Sequence, residues 1–256
     1  MKELNEILNK IYKNLEVDEN GVPTKWSKQI WSDITKEINP ISKNLNPIKV
    51  DFSEYEDFKE KTGFYSENRI NNIGGYINLK SEYKEYLLSK INNLEFVDLY
   101  PQIFKYLYLS KQIEIDENIA KPYIYILDNK DKISKNNKLI TRIYLNYLYG
   151  YLLTKQDDIK IDNVGAENMT YFTNFIMSQL DYKLGKNSVY VDTDQIFYLG
   201  DKNIPSYIIK EIFGNYNIPY DISTIDNVIF FKKKKYIIAN NGELKISGFR
   251  SYNLNQ

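Results

Sequence analysis

The stretch Val189–Tyr198, VYVDTDQIFY, sets two carboxylates, Asp192 and Asp194, one residue apart between apolar runs of strand type. The pair admits two readings. Aspartate suits turns, because its side chain bonds nearby backbone and it tolerates unusual backbone angles. Hard divalent cations, in turn, want clustered carboxylate oxygens. A second acidic stretch, LEFVDLYPQI, offers Glu95 and Asp98 as further oxygen donors. On an alternating strand Glu95 and Val97 face one way, and Phe96 and Asp98 the other. Taken alone, Glu95 also reads as an ordinary solvated strand residue.

Two other groups of residues carry chemistry. Lys138, Arg142, Asn146 and Tyr149 follow one another in steps of four, four and three, which places them on one helix face. Two cations, an amide and a phenol in that arrangement suit the phosphates and base of a nucleotide. A wetted face opposite buried Ile140, Tyr144 and Tyr147 would look the same. The run KKKKY, Lys232 to Tyr236, can neutralise the phosphates of a nucleic-acid backbone. Lysines on an edge strand also guard it against aggregation.

Composition narrows the chemistry. The 256 residues contain neither cysteine nor histidine. Thiolate zinc sites, disulfides, a cysteine nucleophile and the Ser-His-Asp mechanism are therefore excluded. Any metal must be hard and oxygen-ligated. Carboxylate–Mg²⁺ chemistry is the natural enzymatic route that remains. Formal net charge is zero, so the field of the whole molecule does not announce a nucleic-acid binder. From Asp201 onward, however, eight basic residues face five acidic ones. The N-terminus lacks the apolar core of a signal peptide, and no run approaches the ~20 apolar residues of a membrane span. A soluble, cytoplasmic protein with no membrane partner is expected. The wealth of Lys, Asn, Ile and Tyr suggests an AT-rich genome.

The elements that must position these residues are legible from periodicity. Residues 4–16 read as a helix with Leu4, Ile7, Leu8, Ile11 and Leu15 on one face. Residues 25–38 read as a second helix, residues 39–50 as a connector, and residues 53–63 as a short helix stopped by Gly63. The Gly74–Gly75 pair precedes a short strand. LEFVDLYP reads as a strand closed by Pro101, and residues 104–110 as helix. Pro122 leaves YIYILDN open between helix and strand. Residues 137–153 and 168–185 read as helices, 188–199 as a hairpin, and 206–215 as a helix. Residues 226–249 read as strands turning at NNGE. This order predicts an α+β domain with an antiparallel sheet flanked by helices.

In order and wording these motifs resemble those of the family B DNA polymerases. EFVDLYPQI resembles the family's Asp-x-x-Ser-Leu-Tyr-Pro-Ser. RIYLNYLYG resembles Lys-x-x-x-Asn-Ser-x-Tyr-Gly of the fingers helix, and YVDTDQIF resembles Tyr-x-Asp-Thr-Asp-Ser. KKKY with GELKISG resembles Lys-x-Tyr and its glycine-bounded tail. NNIGGYINL resembles the Tyr-x-Gly-Gly motif, typical of the protein-primed branch found in phages and linear plasmids. The match runs from about Pro23 to Gly248. Glu95 stands where the family has aspartate, and Asp98 where it has serine. Arg142 stands for lysine, Tyr147 for serine and Gln195 for serine.

The resemblance implies a polymerase palm. An N-terminal helical segment would occupy residues 1–72. The palm would occupy 73–256, with a reduced fingers insertion at about 104–153, no exonuclease and no thumb. It implies nucleotidyl transfer from deoxynucleoside triphosphates to a DNA primer on a template, using two Mg²⁺ ions, or Mn²⁺ in their place. Asp194 and Glu95 would share the ions, with the Phe96 carbonyl and Asp192 assisting. Tyr100 would stack under the sugar. Lys138 and Arg142 would meet the triphosphate, with Asn146 and Tyr149 lining the pocket. Gly74, Gly75, Lys234 and Tyr236 would contact nucleic acid. A protein partner would supply the missing thumb or a priming function. The alternatives are an inactive palm serving as a nucleic-acid-binding or assembly subunit, and a template-independent transferase.

Overall fold

The computed structural model describes residues 1–19, 22–61, 75–153 and 163–249, among which helices and an antiparallel sheet alternate as the sequence order predicts. The chain forms two compact units, each assembled from separate stretches. No described helix is long and apolar enough to cross a membrane.

The first unit, Met1–Lys49 with Tyr100–Met169, is helical. Helix α1 (Lys2–Lys13) buries Leu4 and Leu8. Helix α2 (Lys28–Ile38) starts three residues later than periodicity suggested, because the Ser27 hydroxyl accepts the Ile30 amide and caps it there. Its Trp31 lies flat against Tyr144 and Tyr151, with ring centres 5.3 and 4.4 Å away. The Trp31 indole donates to the Tyr144 carbonyl, and Thr35 bonds the Tyr144 hydroxyl. Tyr144 and Tyr151 belong to α6 (Lys138–Leu153), so this aromatic stack fixes α6 by its buried side.

Helix α4 (Leu99–Leu109) shows why Pro101 does not close a strand. It sits in the first turn of that helix, where a missing amide costs no hydrogen bond. The preceding strand ends at Phe96, and a turn at Val97 and Asp98, the latter at φ +51°, leads into the helix. YIYILDN is helical, as part of α5 (Glu117–Asn129), with Pro122 inside it. Burial of Tyr123, Ile124, Ile126 and Leu127 outweighs the local cost of the proline, as tertiary context commonly overrides propensity.

The second unit, Val50–Leu99 with Thr170–Gln256, contains the sheet. Among the described residues its strands are β1 (Ile77–Leu79), β2 (Leu87–Phe96), β3 (Ser188–Asp192), β4 (Gln195–Tyr198), β5 (Tyr220–Lys232), β6 (Lys235–Asn240) and β7 (Glu243–Ser247). They lie in the order β1-β3-β4-β2-β5-β6-β7, each pair antiparallel. Helix α3 (Ser53–Lys61) packs Tyr55 edge-on against Phe172 of α7 (Asn163–Leu184). Helix α7 ends at Gly185 (φ +55°) and α8 (Ile204–Phe213) at Gly214 (φ +59°), both at positive φ, which suits glycine. The stop expected at Gly63 lies outside the described residues.

Helix α7 grips the edge strand through one carboxylate. Asp181 is 4% exposed and accepts hydrogen bonds from Ser188 (2.5 Å), Tyr76 (2.7 Å) and Asn78 (2.7 Å). The Lys80 ammonium stands 3.3 Å away. Burial pushes the Asp181 carboxyl up, but these three bonds and Lys80 outweigh it and hold it below the ordinary value. Asp181→Asn should therefore cost about 1.5–3 kcal/mol in denaturant titrations at neutral pH. The wild-type advantage should be full above the ordinary carboxylate range and vanish as pH falls through Asp181's own lowered pKa.

Candidate active site

Cross-strand register decides which acidic residues share a face, since residues directly opposite in antiparallel strands point the same way. Asp221 of β5 is opposite Glu95 of β2. Glu95 is opposite Gln195 of β4, and Gln195 is opposite Asp192 of β3. Asp221, Glu95, Gln195 and Asp192 thus form one row across four strands. The next row on the same face is Ser223, Asn93, Phe197 and Tyr190. Behind the carboxylates stands an aromatic cluster. Tyr190, Phe197, Phe230 and Tyr236 pack with ring centres 4.8 to 6.1 Å apart.

Asp192 and Asp194 flank Thr193 at the tip of the β3–β4 hairpin. Thr193 has φ +58°, and the Asp194 amide bonds the Asp192 carbonyl at 2.6 Å. This is a γ-turn of the rarer, strained hand. The Thr193 amide is held by the Tyr76 carbonyl (3.0 Å). Gly75 lies so close that a Cβ there would stand 2.7 Å from the Thr193 Cγ2 and Oγ1. Gly75, expected to meet nucleic acid, thus packs against the turn itself, and Gly74 lies outside the described residues. The Phe96 amide donates to the Asp194 carbonyl (2.9 Å), tying the end of β2 to the turn.

A second hairpin tip reaches the same place. Lys232 and Lys235 pair across β5 and β6, leaving Lys233 and Lys234 as the turn. The lysine run is therefore a loop tip rather than an edge strand. Lys234 has φ +59°, and its amide donates to the Tyr190 hydroxyl at 2.7 Å. That hydroxyl donates to Asp192 Oδ2 at 2.9 Å. Asp192 Oδ1 accepts from the Thr193 hydroxyl at 3.2 Å. The Lys234 side chain is exposed, whereas Tyr236 is 5% exposed within the aromatic cluster.

The electrostatics of the turn are one-sided. Burial pushes the Asp194 carboxyl above its ordinary value, the Glu95 carboxylate pushes it further, and Asp192 adds to both. Its own backbone amide and Lys234 only partly oppose them. Such a group is short of positive charge, and the oxygen-only donors around it are of the type that Mg²⁺ and Mn²⁺ select. The donor chemistry fits a hard divalent ion. The side chains themselves stand apart: among the described residues no three acidic groups are gathered closely enough to hold a metal. Glu95 and Asp192 stand on the two strands flanking β4, roughly 9–10 Å apart by strand spacing.

The nucleotide-pocket candidates belong to the helical unit. Lys138, Arg142 and Asn146 form an exposed stripe on α6, opposite buried Ile140 and Tyr144, with Tyr149 half-buried. Tyr149 meets Tyr100 of α4 edge-on at 5.5 Å. Two residues of the acidic face escaped sequence reasoning. Asp221 joins the row only through long-range register, which a single sequence does not display. Tyr190 was visible as a strand residue two positions before Asp192, a spacing that shares a face.

No protein-family model matches the sequence, and no curated protein does. Solved structures do. The chain is similar to phi29 DNA polymerase complexed with single-stranded DNA, with a TM-score of 0.56, 14% identity, and coverage of 95% of this chain and 62% of that one. It is similar to the ternary complex of that polymerase with primer-template DNA and incoming nucleotide substrates, with a TM-score of 0.55, 11% identity, and coverage of 94% and 70%. For the post-translocation binary complex with primer-template DNA the figures are 0.51, 15%, 95% and 60%. The chain spans about three fifths of the length of that polymerase. The fold is thus polymerase-like, an α+β arrangement around an antiparallel sheet.

Asp194 generates a prediction for the protein without metal. A raised folded pKa contributes stability that is full below the ordinary carboxylate range and lost as pH rises through the raised value. At pH 7 the ionised group is a burden. Asp194→Asn should therefore raise the Tm of the metal-free protein at pH 7, and the gain should shrink as pH falls below the ordinary carboxylate range. Thermal melts across a pH series in chelator check this.

Proposed function

We propose that this chain is the palm of a DNA polymerase of the family B type, transferring nucleotides to a primer by two-metal chemistry. The observation that carries the proposal is the placement of Glu95, Asp192 and Asp194 at one end of a polymerase-like sheet, where Glu95 and Asp192 both push the Asp194 carboxyl up. Glu95, Asp192, Asp194 and the Phe96 carbonyl would hold the ions, which when bound activate the attacking hydroxyl and neutralise the leaving phosphate oxygens.

The chain's own residues would do the rest. The Thr193 turn fixes where Asp192 and Asp194 present their oxygens. The exposed lysines of the β5–β6 tip would neutralise primer-strand phosphates. Arg142 would grip a deoxynucleoside triphosphate through two parallel hydrogen bonds, with Lys138 and Asn146 along the same stripe. Tyr100 would lie under the sugar beside Tyr149. A protein partner would complete the grip on DNA or supply the primer, consistent with the protein-primed branch that NNIGGYINL resembles.

Purified protein with Mg²⁺ or Mn²⁺, a primer–template and deoxynucleotides should extend the primer, alone or with its partner. Asp194→Asn should lower the rate by at least about 100-fold, the cost of misplacing reacting groups by ~1 Å. Glu95→Asp, which restores the family residue, should also lower it, because a side chain one methylene shorter moves the carboxylate by about 1 Å. A rise with Glu95→Asp would mark Glu95 as a partial defect. No incorporation by any form, on DNA or RNA primers, would overturn the enzyme in favour of an inactive nucleic-acid-binding palm. Primer–template binding should weaken steeply between low and moderate salt, and salt-insensitive binding would contradict the role of the lysine tip.

A further inference from the structure

The Tyr190 hydroxyl joins the two hairpin tips through a single oxygen. It accepts the Lys234 amide and donates to Asp192 Oδ2. Its ring is fully buried. A neutral hydroxyl accepts and donates at once, and each bond polarises the other.

Both ends of this link are fixed. Lys234 stands in the left-handed region, and Gly248, at φ +72°, passes over it so closely that a Cβ would lie 2.0 Å from the Lys234 carbonyl oxygen. Only glycine permits that approach. At the other end, the Thr193 hydroxyl occupies Asp192 Oδ1, so the carboxylate has little freedom to turn. Displacement of the lysine tip must therefore be felt at Asp192.

We propose that Tyr190 is a positioning residue that couples the two hairpins, so that nucleic-acid phosphate on the Lys232–Lys235 tip and a divalent cation at Asp192 favour one another's binding. This rests on the polymerase reading above. Such a coupling is reciprocal: the factor by which DNA tightens the metal equals the factor by which metal tightens DNA. A residue that only fills the aromatic cluster creates no such linkage, and a phenylalanine would fill the cluster as well.

The test measures Mn²⁺ binding to the full chain with and without a primer–template duplex, for the wild type and for Tyr190→Phe. A dideoxy-terminated primer removes the 3′-hydroxyl as a direct metal contact. The duplex should tighten Mn²⁺ at least about fivefold in the wild type. In Tyr190→Phe that factor should fall close to one. Wild-type coupling that survives in Tyr190→Phe overturns the role of Tyr190 and leaves the polymerase reading standing. Mn²⁺ binding that is absent, or unmoved by Asp192→Asn, overturns the polymerase reading and the coupling with it. If Tyr190→Phe does not fold, amide exchange in the wild type decides. Mg²⁺ should slow exchange at the Lys234 amide but not at Asn241 in the next turn, and equal behaviour at the two overturns the proposal.

Discussion

The acidic end of the sheet depends on one backbone position, Thr193. At φ +58° it occupies a region that β-branched residues avoid, at a cost of about 1–3 kcal/mol. Three contacts hold it there. Its amide bonds the Tyr76 carbonyl, the Asp194 amide bonds the Asp192 carbonyl, and Gly75 leaves room for its side chain. Tyr76 is itself anchored by Asp181 of the helix beneath. A buried carboxylate on α7 thus reaches, through one tyrosine, the turn that presents two more. The glycine that resembles a nucleic-acid motif in sequence has its first duty here.

The strain has an electrostatic counterpart. Asp221 and Glu95 stand directly opposite one another, and like charges so placed are destabilising. Glu95 and Asp192 both press on Asp194, against only Lys234 and a local amide. The apolar side of the same face offsets this. Tyr190, Phe197 and Phe230 are fully buried, and each large aromatic removes ample apolar surface from water. The sheet is stable behind the row and frustrated along it. A divalent cation would relieve that frustration, which links the observed arrangement to the chemistry proposed for it.

The sequence displays this design unevenly. The β3–β4 hairpin, helix α6 and helix α8 are plain from alternation and helical spacing, because each buries one face locally. The first part of β2 is not. Lys90 at φ +55° interrupts the alternation, and Asn92 and Asn93 are buried where polar residues suggest solvent. Pro101 looks like a strand stop because a proline ends pairing, yet it also suits a helix's first turn. Tyr236, expected at the primer backbone, has its ring in the aromatic cluster, a burial that its lysine neighbours do not announce. Asp221 and the link through Tyr190 arise from register between distant strands, which no local pattern encodes.

The central claim is that Glu95 and Asp194 meet around shared divalent ions. Anomalous diffraction from crystals soaked in Mn²⁺ and a deoxynucleoside triphosphate tests it most directly. The account predicts Mn²⁺ peaks at about 2.0–2.3 Å from oxygens of both Glu95 and Asp194, the range between Mg²⁺ and Ca²⁺ ligand distances. Peaks confined to other carboxylates, or Glu95 turned away from an occupied Asp194, would contradict it.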